Sequence, residues 1–149
     1  MRKEYFMRKA LEEAALAAEV GEVPVGAVLV MDDEIISGAH NEKELSLDPT
    51  AHAEIIAIRK AAEKLGSWRL DGASIYVTIE PCAMCVGAML QARVKQVVFG
   101  APDPKGGAAG TIVDITSLKG LNHKIQVIGG LLEDDCREII QDFFRGRRD

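Results

Sequence analysis

"SIYVTIEPCAMCVGAMLQARVKQVVFG", residues 74–100, decides the fold. Its opening, Ser74 to Ile79, is rich in β-branched and aromatic residues and reads as a strand. Pro81 then opens the helical stretch "PCAMCVGAMLQA", because a fixed φ and a missing N–H suit the first turn of a helix. "QVVFG" returns to strand. Strands separated by a helix run parallel in one sheet, since only antiparallel neighbours are joined by a tight turn.

Working outward, "VPVGAVLV", "MDD" and "EIISGA" read as two strands and a tight turn, a β-hairpin with Pro24 at a strand start where a missing donor is tolerated. Residues 2–19 carry Phe6, Ala10, Ala14 and Ala17 at helical spacing among charges, the pattern of an amphipathic helix. A polar loop, "HNEKELSLDPT", leads to a helix expected from about residue 50 to 64, with Asp48 and Pro49 as its cap and first turn. Beyond the glycine-rich "DPKGGAAG", a short helical stretch is expected near 111–118, a last strand at "KIQVIG" and a final helix over 131–146. The order α-β-β-α-β-α-β-β-α implies a three-layer α/β/α sandwich around a five-stranded mixed sheet, formed by residues 1–149 as one domain.

Composition narrows the function classes. Hydrophobic residues make 48% and charged residues 28% of the 149, which is ordinary for a globular chain. No apolar run approaches the roughly 20 residues of a membrane span, and charges recur through the N-terminus where a signal peptide needs an apolar core. A cytoplasmic protein is the expectation. A net charge of −5 excludes a generically basic nucleic-acid binder, so any such contact needs a local patch. "FFRGRR", with Arg145, Arg147 and Arg148, is one candidate, and a solvated helix end is the alternative.

With three cysteines, an odd count, and two of them at C-x-x-C spacing, metal or redox chemistry is a better reading than a disulfide framework. Cys82 and Cys85 are three apart, so a helix puts them on one face. A helix N-terminus favours their thiolates. "PTAHAEII", residues 49–56, supplies His52 and Glu54 at the start of another helix. Two thiolates and an imidazole suit zinc, Zn2+. His40, His123 and Cys136 belong to no paired ligand motif, so a site of three ligands with an open position is expected. Glu54, two residues from a ligand, is then placed to take a proton from a bound water.

The pattern "HAE…EPCAMC" resembles the zinc-dependent cytidine deaminase superfamily, whose H-x-E…P-C-x-x-C signature the tRNA-acting adenosine enzymes share. Within it the chain is most similar to the bacterial tRNA-specific adenosine deaminases. The likeness runs through "EVPVGAVLV", "DPTAHAEI", "VTIEPCAMCVGAM", "VVFGAPDPKGGAAG", "LNHKI" and "DFFRGRR", nearly the whole chain. The resemblance implies a cytidine deaminase-like fold, a homodimer with zinc in each subunit, and hydrolysis of adenosine to inosine at the first anticodon (wobble) position of a tRNA. It implies that His52, Cys82 and Cys85 hold zinc, that zinc-activated hydroxide attacks C6 of adenine, and that Glu54 shuttles protons.

The same resemblance places Asn41 on the flipped nucleoside and the N–H of Ala53 on the oxygen formed at C6. Asp103 and Lys105 are expected at a pocket wall, with Asn122, His123, Phe144 and Arg145 as further contacts to the tRNA anticodon stem-loop. Pro102 and Gly106 stand where some members carry Arg and Thr, and the chain stops at Asp149 without a longer basic tail, so weaker RNA affinity is expected. Two other readings compete: a zinc deaminase of a free base or nucleoside such as guanine or cytidine, and a catalytically silent zinc module. The basic "FFRGRR" speaks against the first and Glu54 against the second.

Overall fold

Parity along the strands builds the layers. The structure, a computed structural model, describes residues 2–148, with only the backbone for Arg147 and Arg148. Helix α1 (Arg2–Glu19) buries Phe6, Met7, Ala10, Ala14 and Ala17. The hairpin is β1 (Gly26–Met31) and β2 (Glu34–His40). Its turn residues Asp32 and Asp33 both have positive φ, 50° and 64°, the left-handed pair that a two-residue hairpin turn requires. Then follow α2 (Ala53–Leu65), β3 (Ser74–Ile79), α3 (Ala83–Ala92), β4 (Gln96–Ala101), β5 (Gln126–Ile128) and α4 (Glu133–Arg148).

The sheet order is β2-β1-β3-β4-β5. β1 is antiparallel to both neighbours, while β3, β4 and β5 run parallel, so the sheet is mixed as expected. Ala27, Leu29, Ile75, Val77, Val97 and Phe99 pack with Ala53, Ala57 and Ala61 of α2 and Val86 and Met89 of α3. The alternate residues Val28, Val30, Tyr76 and Val98 turn to the opposite face, against Phe6, Met7 and Ala10 of α1 and Cys136 of α4. Both faces are thereby covered, giving the three-layer α/β/α sandwich. Leu29 and Ile75 are fully buried, and truncating either to alanine removes about 2–5 kcal/mol. Among the described residues no helix is long and apolar enough to cross a membrane.

Three local expectations are corrected. The helix expected from residue 50 starts at Ala53, because the Asp48 carboxylate accepts from the N–H (2.8 Å) and hydroxyl (2.7 Å) of Thr50 and closes a turn there. The stretch 111–118 is not helical. An isolated bridge joins Ala109 to Asp114, and the Asp114 carboxylate accepts from the Thr116 N–H at 3.0 Å, holding the chain in turns. The last helix begins at Glu133, after Leu132 at a φ of 52°.

Candidate active site

Helices α2 and α3 present their first residues to one point. His52 and Cys82 are the N-cap residues, both in extended backbone, and neither side chain caps its own helix. Pro81 therefore precedes the cap of α3 instead of opening its first turn. Released from capping, the His52 Nδ1 lies 3.7 Å from Cys82 Sγ and 3.5 Å from Cys85 Sγ. The three donor atoms are all within 4.8 Å of one another, a group able to hold a metal ion, and among the described residues it stops at three. His40 is engaged elsewhere, its Nδ1 2.8 Å from Glu13, and His123 Nε2 donates to the Val94 carbonyl at 2.6 Å.

The thiol of Cys85 donates to Cys82, which with His52 holds Cys82 down at about 3 against its partial burial. The same bond, together with burial, pushes Cys85 up. Binding an ion releases such a proton, because thiolate is the ligating form. His52 is raised by its hydrogen bond with Cys82. Glu54, 3% exposed in the first turn of α2, is raised to about 7 by burial. A carboxyl with that value both takes and gives a proton near neutrality.

A cavity of about 570 Å³ opens over this group, with His52, Ala53, Glu54 and Cys82 in its lining. Val25, Asn41 and Lys43 line one wall, and Pro102, Asp103 and Lys105 the other. Arg137, Gln141 and Phe144 of α4 reach it from the rim. Burial separates two zones: Ala53 and Glu54 are buried, whereas Lys43, Lys105 and Phe144 are exposed.

A family model for MafB19-like deaminases matches residues 1–148. The chain belongs to this deaminase family. A tRNA-specific adenosine deaminase from Bacillus subtilis (strain 168) is 49% identical over 145 residues, 97% of this chain and 90% of that protein. A solved structure from studies of A-to-I editing by tRNA:A34 deaminases at the wobble position of transfer RNA superposes with a TM-score of 0.88 at 47% identity, covering 91% of this chain and 98% of that one. A guanine deaminase from Bacillus subtilis gives 0.64 at 34% identity, over 78% of this chain and 85% of that one.

In this deaminase the structure brings His52, Ala53, Glu54, Cys82, Asn41, Asp103, Lys105 and Phe144 to one cavity, with Cys85 beneath it. The Asp103 carboxylate accepts from the Lys105 N–H at 2.9 Å, which shapes the turn carrying both. Asn122 and Arg145 are not part of the lining. Asn122 sits exposed before β5, and Arg145 is paired with Asp142. The side chains of Arg147 and Arg148 lie outside the described residues. Lys43, Arg137, Gln141 and Glu80 line the cavity but had no sequence signal of their own, save that Glu80 is an acid at the end of an apolar strand.

Proposed function

We propose that this deaminase hydrolyses adenosine to inosine at the wobble position of a tRNA, with zinc held by His52, Cys82 and Cys85. The observation that carries the reading is the convergence of those three donors beside buried Glu54 under one cavity. Tetrahedral zinc, with bonds of about 2.3 Å to sulfur and about 2.1 Å to nitrogen, needs sulfur–nitrogen separations of about 3.6 Å. The two separations here, 3.7 and 3.5 Å, fit. Three ligands with a fourth position left to solvent is the pattern of catalytic zinc. Zinc there supplies Lewis acidity that makes water a nucleophile near a pH of about 7.

The chain's own groups do the rest. Glu54 takes the proton of the attacking water, delivers it to N1 of the purine, and moves a proton to the departing amine. The C6–O bond forms, the C6–N6 bond breaks, and water is exchanged for ammonia. Ala53 is the first residue of α2, so its N–H has no intrahelical partner and is free to donate to the oxygen at C6. Asn41, 8% exposed on the wall, is placed to hold the nucleoside.

Favouring RNA over a free base, Lys43 and Lys105 are exposed at the cavity of a chain whose net charge is −5, whereas Arg137 beside them is held by Glu133 and Asp134. An anticodon loop already offers unstacked bases, so entry avoids most of the cost of extruding one from a duplex. Phe144, 45% exposed at the rim, offers a stacking face. A homodimer and a cytoplasmic site of action belong to the same reading, and exposed Leu45, Leu47, Ile112 and Val113 give a second copy apolar surface to cover. The likeness to a guanine deaminase supports a second reading, a free-purine enzyme.

Incubation of the zinc-loaded protein with a tRNA transcript bearing adenosine at the first anticodon position separates the two. Guanine, adenosine and cytidine run in parallel, with products scored by mass. Inosine from the tRNA is the expected result, and product from free base or nucleoside alone overturns it.

A further inference from the structure

Two carboxylates outside that chemistry are almost completely buried, Glu22 at 1% and Glu80 at 2% exposed. A carboxylate leaves water only where donors replace its hydration. Glu22 accepts from the N–H groups of Glu44 (3.1 Å) and Leu45 (2.6 Å). Glu80 accepts from the N–H groups of Asp103 (3.0 Å), Ala109 (3.0 Å) and Thr111 (3.1 Å) and from the Thr111 hydroxyl. Backbone donors in an irregular loop have no ladder to satisfy them, so each carboxylate stands in for missing secondary structure.

The loops so held are the two walls of the cavity. Asn41 and Lys43 line it just before the amides gripped by Glu22, and Pro102, Asp103 and Lys105 line it just after β4, Asp103 itself offering the first of the amides gripped by Glu80. Each carboxylate belongs to a fixed part of the frame: Glu22 donates its own N–H to the Ala17 carbonyl at the end of α1, and Glu80 donates to the Ala101 carbonyl of β4. The grip at Glu80 is tight. A Cβ added at Gly107 would come within 2.4 Å of its carboxyl group, so only glycine lets that loop close over it.

We propose that Glu22 and Glu80 are positioning residues that tie the two walls to the framework. Together they set how far Asn41 and Lys43 stand from Asp103 and Lys105 when the substrate nucleotide enters. The proposal rests on the reading above that a nucleotide occupies this cavity. Glu22 is not in the cavity lining, and the Glu80 carboxylate, which is, is taken up by the three amides and the Thr111 hydroxyl.

The test uses the full-length, zinc-loaded protein with Glu22→Gln and Glu80→Gln. Each substitution keeps shape while replacing an acceptor oxygen by an NH2 that faces backbone donors. Amide exchange is read residue by residue, alongside zinc content, melting temperature, and kcat and KM on an RNA stem-loop with adenosine in its loop. Glu80→Gln should speed exchange at Asp103, Ala109 and Thr111 by about tenfold or more while leaving Glu44 and Leu45 unchanged, and Glu22→Gln should do the reverse. KM should rise by about fivefold with kcat held within about twofold and zinc retained.

Gly107→Ala attacks the same contact from the other side, so it should reproduce Glu80→Gln and add little to it in the double variant. It and Glu22→Asp also decide the matter if a Gln variant does not fold. Unchanged exchange at the named amides overturns the proposal. So does faster exchange with a lower melting temperature but an unaltered KM, which would make both residues merely structural. If the wild type acts on a free base and not on RNA, the substrate reading fails instead, and KM for that base together with the exchange pattern still judges the two carboxylates.

Discussion

The inner end of the cavity and its rim are made differently. Inside, His52, Ala53, Glu54 and Cys82 stand on the first residues of two helices, backed by the sheet, and Cys85 is fully buried. Outside, Lys43, Lys105 and Phe144 are exposed, on loops and on the last turns of α4. Chemistry needs donor atoms fixed to within fractions of an ångström, and helix ends on a packed sheet provide that. Recognition of a large, charged partner needs long side chains spread over a wide mouth. The division predicts that damage inside removes turnover, whereas damage at the rim weakens binding.

Removing the metal should break the inner zone entirely. Chelation is expected to abolish deamination, and zinc should restore it. Iodoacetamide should then label half-exposed Cys82 and spare Cys136, which is fully buried and whose thiol burial pushes up to about 12. Labelling of Cys136 before global unfolding would contradict the packing described. Next, Glu54→Gln should lower kcat by about 10²–10⁴-fold with zinc content unchanged, as measured by product formation and metal analysis on one sample. A variant that keeps its turnover would return Glu54 to a structural role.

At the rim the expected effects are smaller and of another kind. Lys43→Ala and Lys105→Ala should each raise KM for an RNA substrate by about 3- to 10-fold while kcat holds, with a shallower salt dependence of binding. A fall in kcat instead would erase the distinction between the two zones. Cys136, on the far face of the sheet, is a control belonging to neither. Its raised value means that folding favours the neutral thiol, so its contribution is complete below about 8.5, the unfolded value, and is lost as pH rises toward about 12. Urea unfolding from pH 7 to 9 should reveal a loss of less than about 1 kcal/mol that Cys136→Ala lacks.

The same contrast governs what the sequence made legible. The three candidate ligands and Glu54 come as two short motifs, each local to one helix start, so spacing alone groups them. Their order through strand and helix also announced the mixed sheet. Lys43, Arg137 and Gln141 come from a loop and a distant helix, and only tertiary packing brings them together. Glu80 grips amides 23 to 31 residues away, and backbone donors leave no mark in a side-chain pattern. Residues 111–118 misled for a related reason. Ile112, Val113, Ile115 and Leu118 have helix-like spacing, yet Asp114 spends its carboxylate on Thr116 and the chain turns. Asp48 does the same with Thr50, which leaves His52 as the helix cap.

The placement of the three candidate ligands between residues 52 and 85 has a consequence for biosynthesis. α1 through α3, with β1, β2 and β3 paired, are all encoded before residue 93. Synthesis thus completes His52, Glu54, Cys82 and Cys85 before β4, the wall at 102–105 and α4 are made. An ion held by His52, Cys82 and Cys85 would join α2 to α3 within the half of the chain that is made first.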